Sequence, residues 1–150
     1  HNSTMGDIAR LGAAQLNILR DDDLKPVGEC LKKQFNTPYI PSYPVGLEGT
    51  INFLEEVAGI FGVPCSAAVR AEKALQEEIL GKFKDIRGSS IMFEPSLIPS
   101  GSFTIASDVA DRIDITIDRS GCRVPLELSP PVGTTGILRM LHRWRRAIHA

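Results

Sequence analysis

The stretch Phe35–Phe61 constrains the fold of this chain more than any other part of it. Thr37–Ile40 is short and favours a strand, with prolines on both sides. The prolines and the glycine at 41–46 then predict a compact turn. A helix follows, because apolar residues recur at a 3.6-residue period up to Gly62, which is typical of a helix end. The apolar face of this helix consists of Leu54, Val57, Ala58 and Phe61. A strand that leads through a Gly/Pro turn into a helix is the repeating element of parallel α/β folds.

The turn itself is a candidate ligand site. Ligands of parallel sheets bind beyond the carboxyl ends of strands, next to helix N-termini. Gly46, Gly49 and Thr50 lie at such a position and are candidate cofactor-binding residues. The alternative interpretation is that the two glycines only permit the turn.

Several segments, which together cover about two thirds of the chain and follow the family's order, resemble the nitrogenase component 1 superfamily. Pro38–Gly62 (PYIPSYPVGLEGTINFLEEVAGIFG) is similar to a segment that ends one α/β domain of that family. Leu11–Ile18 is similar to one of its strands, and Val132–Leu141 resembles the start of its closing helix. The family includes nitrogenase molybdenum-iron protein chains, cofactor-assembly scaffolds and tetrapyrrole reductases.

The resemblance implies part of an oxidoreductase subunit or of an assembly scaffold. Such proteins cradle a metal cluster or a tetrapyrrole between α/β domains, so an iron–sulfur or iron–molybdenum type cluster is the expected cofactor. The expected partners are a second component 1-type subunit and an ATP-dependent iron protein reductase. The cysteines that hold the electron-relay cluster near the family's N-terminus have no counterpart here, and this piece alone is not expected to be active.

The resemblance also predicts the domain organisation, an α/β fold with incomplete Rossmann-like parallel sheet lobes joined by a long helix. Residues 1–64 would end one α/β domain, 65–88 would form the linking helix (Ser66–Arg87), and 89–150 would form a second α/β domain with a C-terminal helix. The matched segments lie closer together than in the family. We therefore expect a piece of a longer protein with segments omitted between the motifs, or else a shortened chain whose exposed sheet edges are covered by a second copy.

The second domain offers two further candidate positions. Ser96 follows the predicted strand Ser89–Phe93, where some family members carry a glycine-rich loop that touches a cluster, although no glycine pair or arginine occurs here. Asp111–Asp118 alternates between apolar and polar residues, which predicts a half-buried strand. Gly121, Cys122 and Arg123 follow it and are candidate cofactor-binding residues, with Cys122 as a candidate metal ligand. An inert thiol is the alternative, and the family's cluster-ligating histidine has no match here.

The three cysteines indicate a reducing compartment. Cys30, Cys65 and Cys122 are odd in number and widely spaced, which argues against a disulfide framework or a CxxC zinc site. A cytoplasmic location is therefore expected. Cys30 shares a predicted helix face with Val27 and is expected in the core. The aspartates at 21–23 are expected to cap that helix rather than bind a metal.

Bulk charge and hydropathy exclude two kinds of partner. The net charge is −1, which indicates neither nucleic acid nor an anionic membrane surface. No apolar run approaches the roughly 20 residues of a spanning helix. The basic residues of the last helix are either a solvated face or a docking patch for an acidic partner. The alternative function is a non-enzymatic α/β module that binds a small anion at Gly46–Thr50.

Overall fold

The computed structural model describes residues 10–20, 22–93, 100–126 and 129–150. Within these residues the chain forms a mixed α/β fold with short parallel sheets, which confirms the predicted incomplete Rossmann-like class. The helices are α1 (Lys25–Phe35), α2 (Gly46–Phe61), α3 (Ser66–Gly81), α4 (Ser100–Arg112) and α5 (Gly133–Ile148). The strands are β1 (Asn17–Ile18), β2 (Tyr39–Ile40), β3 (Ser90–Phe93), β4 (Thr116–Ile117) and β5 (Cys122–Val124).

The chain divides into two compact units. The first unit comprises His1–Tyr43 and Glu56–Val63, and the second comprises Pro44–Glu55 and Pro64–Ala150. The predicted domain boundaries at residues 64 and 88 stay a prediction. The described part of the chain contains no helix that is both long and apolar enough to span a bilayer.

The first unit is built on one parallel strand pair. β1 and β2 align Asn17 with Tyr39 and Ile18 with Ile40. Helix α1 approaches this pair so closely at Gly28 that a Cβ there would lie 2.7 Å from the ring of Tyr39. The face of α1 that packs against the strands is therefore the face that carries Gly28.

This orientation of α1 overturns one sequence prediction. Cys30 was expected in the core, but it is exposed, and Val27 is 50% exposed. Two residues along a helix correspond to a rotation of roughly 200°, so a helix that buries Gly28 turns Cys30 away.

The predicted cap of α1 is also wrong at Asp22 and Asp23. The residue that precedes α1 is Leu24, in a 3-10 turn Asp22–Leu24, and it makes no side-chain cap bond. Asp22 instead forms an exposed ion pair with Lys25 at 3.2 Å. Helix α3 begins after Cys65, again without a side-chain cap. The first turn of α1 therefore has no side-chain cap from Asp22 or Asp23, and Asp21 lies outside the described residues.

The second unit contains a three-stranded parallel sheet in the order β4-β3-β5. Helices α3, α4 and α5 bury one continuous core with it, centred on Phe83, Ile91 and Trp144, each 0% exposed. The predicted strand Ser89–Phe93 is confirmed almost to the residue.

Two predicted elements have different limits. The expected helix Ser66–Arg87 ends at Gly81 and is followed by a 3-10 turn, Lys84–Ile86, whose Ile86 is buried in the core. The expected strand Asp111–Asp118 is mostly the end of α4 and a tight turn, and only Thr116–Ile117 is strand. The apolar and polar residues alternate there for another reason. Ile113 and Ile115 lie in the turn and are both buried, while Asp114 between them adopts φ 60°.

Candidate functional site

Two helices of the second unit start side by side through a repeated sequence. Pro44-Val45-Gly46 and Pro131-Val132-Gly133 run antiparallel, with Val45 opposite Val132. The Gly46 N–H donates to the Pro131 carbonyl at 3.1 Å, and the Gly133 N–H donates to the Pro44 carbonyl at 2.7 Å. We call these paired segments and the first turns of α2 and α5 the helix junction.

Glycine is required on both sides of the junction. Gly46 has φ 72° and Gly133 has φ 60°, in the left-handed region that side chains with a Cβ rarely adopt. Three residues further along α5, a Cβ on Gly136 would lie 2.9 Å from the Pro131 carbonyl carbon. The first glycine of each Pro-Val-Gly-x-x-Gly motif therefore permits the turn into its helix, and Gly136 lets α5 start close to its own Pro131 segment.

Helix α3 ties the junction together through polar side chains. Gln76 is 4% exposed and donates to the Leu47 carbonyl at 3.0 Å, in the first turn of α2. Gln76 also donates to Glu72 Oε1 at 3.2 Å, and the buried Thr134 of α5 donates its hydroxyl proton to the same oxygen. Glu72 thus joins α3 to the first turn of α5, and Gln76 joins α3 to the first turn of α2. These contacts make the junction a rigid, hydrogen-bonded framework.

Sequence reasoning missed Glu72, Gln76 and Thr134. The apolar residues of α3 recur about every four positions and favour Leu75 as a buried residue, but Leu75 is 42% exposed and its neighbour Gln76 is buried. A signal was available, because Pro-Val-Gly-x-x-Gly occurs at 44–49 and again at 131–136. Two copies of one helix-start motif predict two equivalent helix starts.

The candidate residues Gly46, Gly49 and Thr50 belong to the junction. Gly46 is buried and its N–H is already bonded. The hydroxyl of Thr50 donates to the Gly46 carbonyl at 2.6 Å, inside α2. Gly49 is half-buried in the first turn. Two of the expected donor groups are thus used within the protein, and a ligand-binding role for this loop stays a prediction.

Gly121 lies where the chain passes over strand β3. A Cβ on Gly121 would lie 2.5 Å from the backbone nitrogen of Ile91. The chain leaves β4 on one side of β3 and enters β5 on the other side, and glycine permits this crossing. The close approach that Gly121 makes is thus to strand backbone, and its role as a cofactor-binding residue stays a prediction.

Cys122 and Arg123 follow on β5. The Cys122 thiol is half-buried and donates to the Ala147 carbonyl at 3.1 Å, near the end of α5. Arg123 is exposed and aligns with Met92 of β3. Gly121–Arg123 and Gly46–Thr50 belong to separate segments of the second unit, and Ser96 lies outside the described residues.

Asp118 organises the turn that carries this crossing. Its Oδ1 accepts the Ser120 N–H and the Ser120 hydroxyl, both at 2.6 Å, and its Oδ2 accepts the Ser90 hydroxyl. The Ser120 and Ser90 bonds lower the pKa of Asp118 from 3.8 to about 2. The carboxylate is therefore an ionised structural acceptor throughout the neutral range.

The described residues do not fit a metal cluster by themselves. Iron–sulfur clusters are held by several cysteine thiolates. In the described ranges no three His, Cys, Asp or Glu side chains come together in a metal-binding arrangement. The thiol of Cys122 has an internal acceptor, and Cys30 is on the surface of the first unit. The role of Cys122 as a metal ligand stays a prediction.

Comparison with known proteins identifies relatives of one kind. The family of nitrogenase component 1 type oxidoreductases matches residues 1–92. One subunit of the light-independent protochlorophyllide reductase of Bradyrhizobium sp. (strain ORS 278) is 37% identical over 76 residues, which are 49% of this chain and 15% of that protein. The corresponding subunits from Methylobacterium radiotolerans and Dinoroseobacter shibae are 37% and 39% identical over 62 residues, 41% of this chain and 12% of each relative.

The family match covers well over half of the chain and includes the first unit, α2, α3 and most of β3. It ends before α5, so the likeness of Val132–Leu141 to the family's closing helix stays a prediction. The chain spans only 12–15% of the length of these relatives. On the match over residues 1–92, the chain belongs to the nitrogenase component 1 type oxidoreductase family.

Proposed function

We propose that this chain is part of a component 1-type oxidoreductase subunit that acts on a tetrapyrrole. The observation that carries the proposal is the similarity of about half the chain to subunits of light-independent protochlorophyllide reductases. The family match over residues 1–92 supports the reaction class. A cytoplasmic location, a second component 1-type subunit and an ATP-dependent iron protein reductase are part of the proposal.

Within such a subunit, this chain would supply framework. The hydrogen-bonded junction of α2 and α5 fixes two helix N-termini, and their partial positive charge would favour an anionic group such as a tetrapyrrole carboxylate. Gly46, Gly49 and Thr50 would lie next to that group, and Ser96 and Gly121–Arg123 would be further positions near the cofactor. The ligands of an iron–sulfur or iron–molybdenum type cluster would come mainly from outside the described residues, because these lack a clustered donor set.

Anaerobic co-expression tests this proposal. The chain would be produced together with a second component 1-type chain and purified without oxygen. Iron analysis and visible absorption would follow, with and without added protochlorophyllide. Co-purification with the second chain, together with bound iron or a shifted tetrapyrrole spectrum, is the expected result. A chain that elutes alone, without iron and without any spectral change, would overturn the proposal.

A variant pair tests the role of Cys122. We expect Cys122→Ala to lower the iron content of the co-purified complex, because the thiol would be a ligand there. Cys30→Ala is the matched control, since Cys30 is exposed and lies in the other unit. Unchanged iron in Cys122→Ala would remove Cys122 from the ligand set while leaving the tetrapyrrole proposal intact.

The second candidate function is a non-enzymatic α/β module that binds a small anion at Gly46–Thr50. The absence of a clustered metal donor set in the described ranges favours it. A colourless protein that binds phosphate in isothermal titration calorimetry would support this function. Loss of that binding in Gly49→Asp, which adds a negative charge to the first turn of α2, would locate the site.

A further inference from the structure

The second unit has a basic cleft that the proposed function does not use. The cleft has a volume of about 340 Å³ and is lined by Glu77, Leu80, Gly81, Lys84, Arg87 and Arg112. Lys84 and Arg87 precede β3, and Arg112 precedes β4, so the cleft lies at the amino ends of these parallel strands. Cofactors of parallel sheets bind at the opposite, carboxyl ends. The cleft is therefore separate from the expected cofactor position.

The backbone that carries the three basic residues is held in place. The Gly88 N–H donates to the Asp114 carbonyl at 2.7 Å, which joins the loop before β3 to the loop before β4. Ile86 and Ile113, each next to a cationic residue of the cleft, are 0% exposed and anchor the two loops in the core. The cations thus extend from a fixed base and need little reorganisation to meet a ligand.

The positive charge of the cleft is only weakly neutralised. Glu77 is the one carboxylate among its lining residues. Asp85 is close in sequence, but its two oxygens contact Arg145 at 2.6 Å and His149 at 3.1 Å, on the side of α5. Arg112 reaches Asp108 only at 3.6 Å, and both side chains are more than a third exposed, so that pair contributes little. Three cations therefore face one cleft with one lining acid.

We propose that this cleft binds a small ligand that carries adjacent phosphate groups. Its volume falls in the range of about 300–1,000 Å³ typical of small-molecule sites. Two guanidinium groups can each bind phosphate oxygens through two parallel hydrogen bonds, and Lys84 adds a mobile point charge. The buried Leu80 forms an apolar part of the wall, 5% exposed.

Titration of the 150-residue chain with pyrophosphate tests the proposal. Isothermal titration calorimetry at low salt would compare wild type with Arg87→Gln, Arg112→Gln and the control Arg119→Gln. Arg119 is exposed and does not line the cleft, so the control removes the same charge elsewhere. Each cleft variant is expected to weaken pyrophosphate binding by roughly tenfold or more, as loss of a charge-assisted bond predicts, while the control changes little.

Citrate, a carboxylate ligand of similar charge, separates phosphate recognition from general attraction of anions. Tighter binding of pyrophosphate than of citrate supports the proposal, whereas equal or tighter binding of citrate overturns the phosphate assignment. Absence of pyrophosphate binding, or equal weakening by all three variants, overturns the site. Trp144 fluorescence, compared between variants, shows whether the second unit keeps its fold. The test needs neither iron nor a partner subunit, so its failure is distinct from failure of the proposed function.

Discussion

The two units of this chain contain the same kinds of element but bury them very differently. The first unit has a two-stranded parallel sheet, and among its described residues the buried apolar ones are Leu19, Ile40 and Ala58. The second unit has a three-stranded parallel sheet and a continuous core that includes Phe83, 0% exposed. Large apolar side chains that remain exposed concentrate in the first unit. They are Ile18, Leu24, Val27, Phe35, Tyr43, Phe61 and Val63.

The difference shows that strand-turn-helix patterning does not by itself produce a core. Parallel strands are normally covered on both faces, and an isolated two-stranded sheet is marginal in water. In the second unit, α3, α4 and α5 supply that cover. The first unit has only α1 and the end of α2 as helices. Its many exposed apolar side chains are expected if the unit is one part of a larger α/β domain. This agrees with a chain that spans 12–15% of its relatives.

The largest expected effect is a core truncation in the second unit. Phe83→Ala removes a fully buried ring that also contacts Arg145, at 4.3 Å from Cζ to the ring centroid. We expect it to lower the free energy of unfolding by about 3–5 kcal/mol. The counterpart in the first unit, Phe35→Ala, removes a side chain that is 49% exposed and should change that free energy by less than about 0.5 kcal/mol.

The chain carries its own reporters for this comparison. Its single tryptophan, Trp144, lies in the second unit, and its two tyrosines, Tyr39 and Tyr43, lie in the first. Urea unfolding followed by tryptophan fluorescence and by tyrosine absorbance would therefore report each unit separately. We expect the tyrosine transition at the lower urea concentration. Coincident transitions, or equal losses from Phe83→Ala and Phe35→Ala, would show that the two units are equally stabilised.

A glycine from each unit sharpens the comparison. Gly121→Ala would place a Cβ 2.5 Å from the Ile91 nitrogen, and a strand backbone cannot move without disturbing the sheet. A loss of about 1–3 kcal/mol in the tryptophan-monitored transition is expected. Gly28→Ala would meet the side chains of Tyr39 and Leu19 at 2.7–2.9 Å. Those side chains can shift, and alanine favours helix α1 by up to about 1 kcal/mol, so the tyrosine-monitored loss should be smaller. A larger loss for Gly28→Ala would mean that the first unit is the more rigidly packed one.

Loss of a hydrogen bond in the helix junction is expected to destabilise the second unit by the next largest amount. Gln76→Ala removes the donor to Glu72 and to the carbonyl of the buried Leu47, and leaves that carbonyl without its side-chain partner. A loss of about 1–3 kcal/mol in the urea transition of Trp144 is expected. Leu75→Ala is the matched control on the same helix, because Leu75 is 42% exposed. A control that destabilises as much as Gln76→Ala would contradict the assignment of Gln76 as the residue that ties α3 to α2.

The elements with strong periodicity could be predicted from sequence. The apolar repeat of α5 predicts a buried stripe of Ile137, Leu141, Trp144 and Ile148; the first three are 0% exposed and Ile148 is half-buried. The parallel α/β class followed from the strand-turn-helix pattern at 35–61. Helix α4 was not foreseen, because its end shares residues 111–112 with an alternating pattern that favours a strand.

The candidate site was harder to predict than the fold. Gly46 and Gly121 were recognised as special positions, yet the structure explains both through backbone geometry within the protein, a positive φ and a chain crossing. The polar network of Glu72, Gln76 and Thr134 depends on contacts between residues up to 62 positions apart. Local patterns carry no information about such contacts, and the repeated Pro-Val-Gly-x-x-Gly motif predicts only that α2 and α5 start in the same way.

The smallest effect is a pH dependence confined to the second unit. The Ser120 and Ser90 hydrogen bonds hold the pKa of Asp118 at about 2, below its ordinary 3.8. A carboxyl group whose pKa is lower in the folded state stabilises the fold fully above the unfolded value of about 3.9, and this stability is lost as pH falls through the folded value. We therefore expect the tryptophan-monitored transition to weaken between about pH 4 and pH 2.

A comparison of wild type with Asp118→Asn isolates the contribution of Asp118 to the pH dependence. Other carboxyl groups of the second unit with a lowered pKa, such as Asp85 beside Arg145, are present in both proteins. The difference in unfolding midpoint between wild type and Asp118→Asn should shrink as the pH is lowered through that window, since protonation removes the same charge that the substitution does. The tyrosine-monitored transition of the first unit should show no such convergence. In that unit the hydrogen bond to Glu29 raises the pKa of Tyr39. The contribution of this bond to the stability of the fold is therefore complete below the ordinary value of 10.0 and is lost only at alkaline pH. A difference that stays constant from pH 5 to pH 2 would show that Asp118 does not act as an ionised acceptor in the fold.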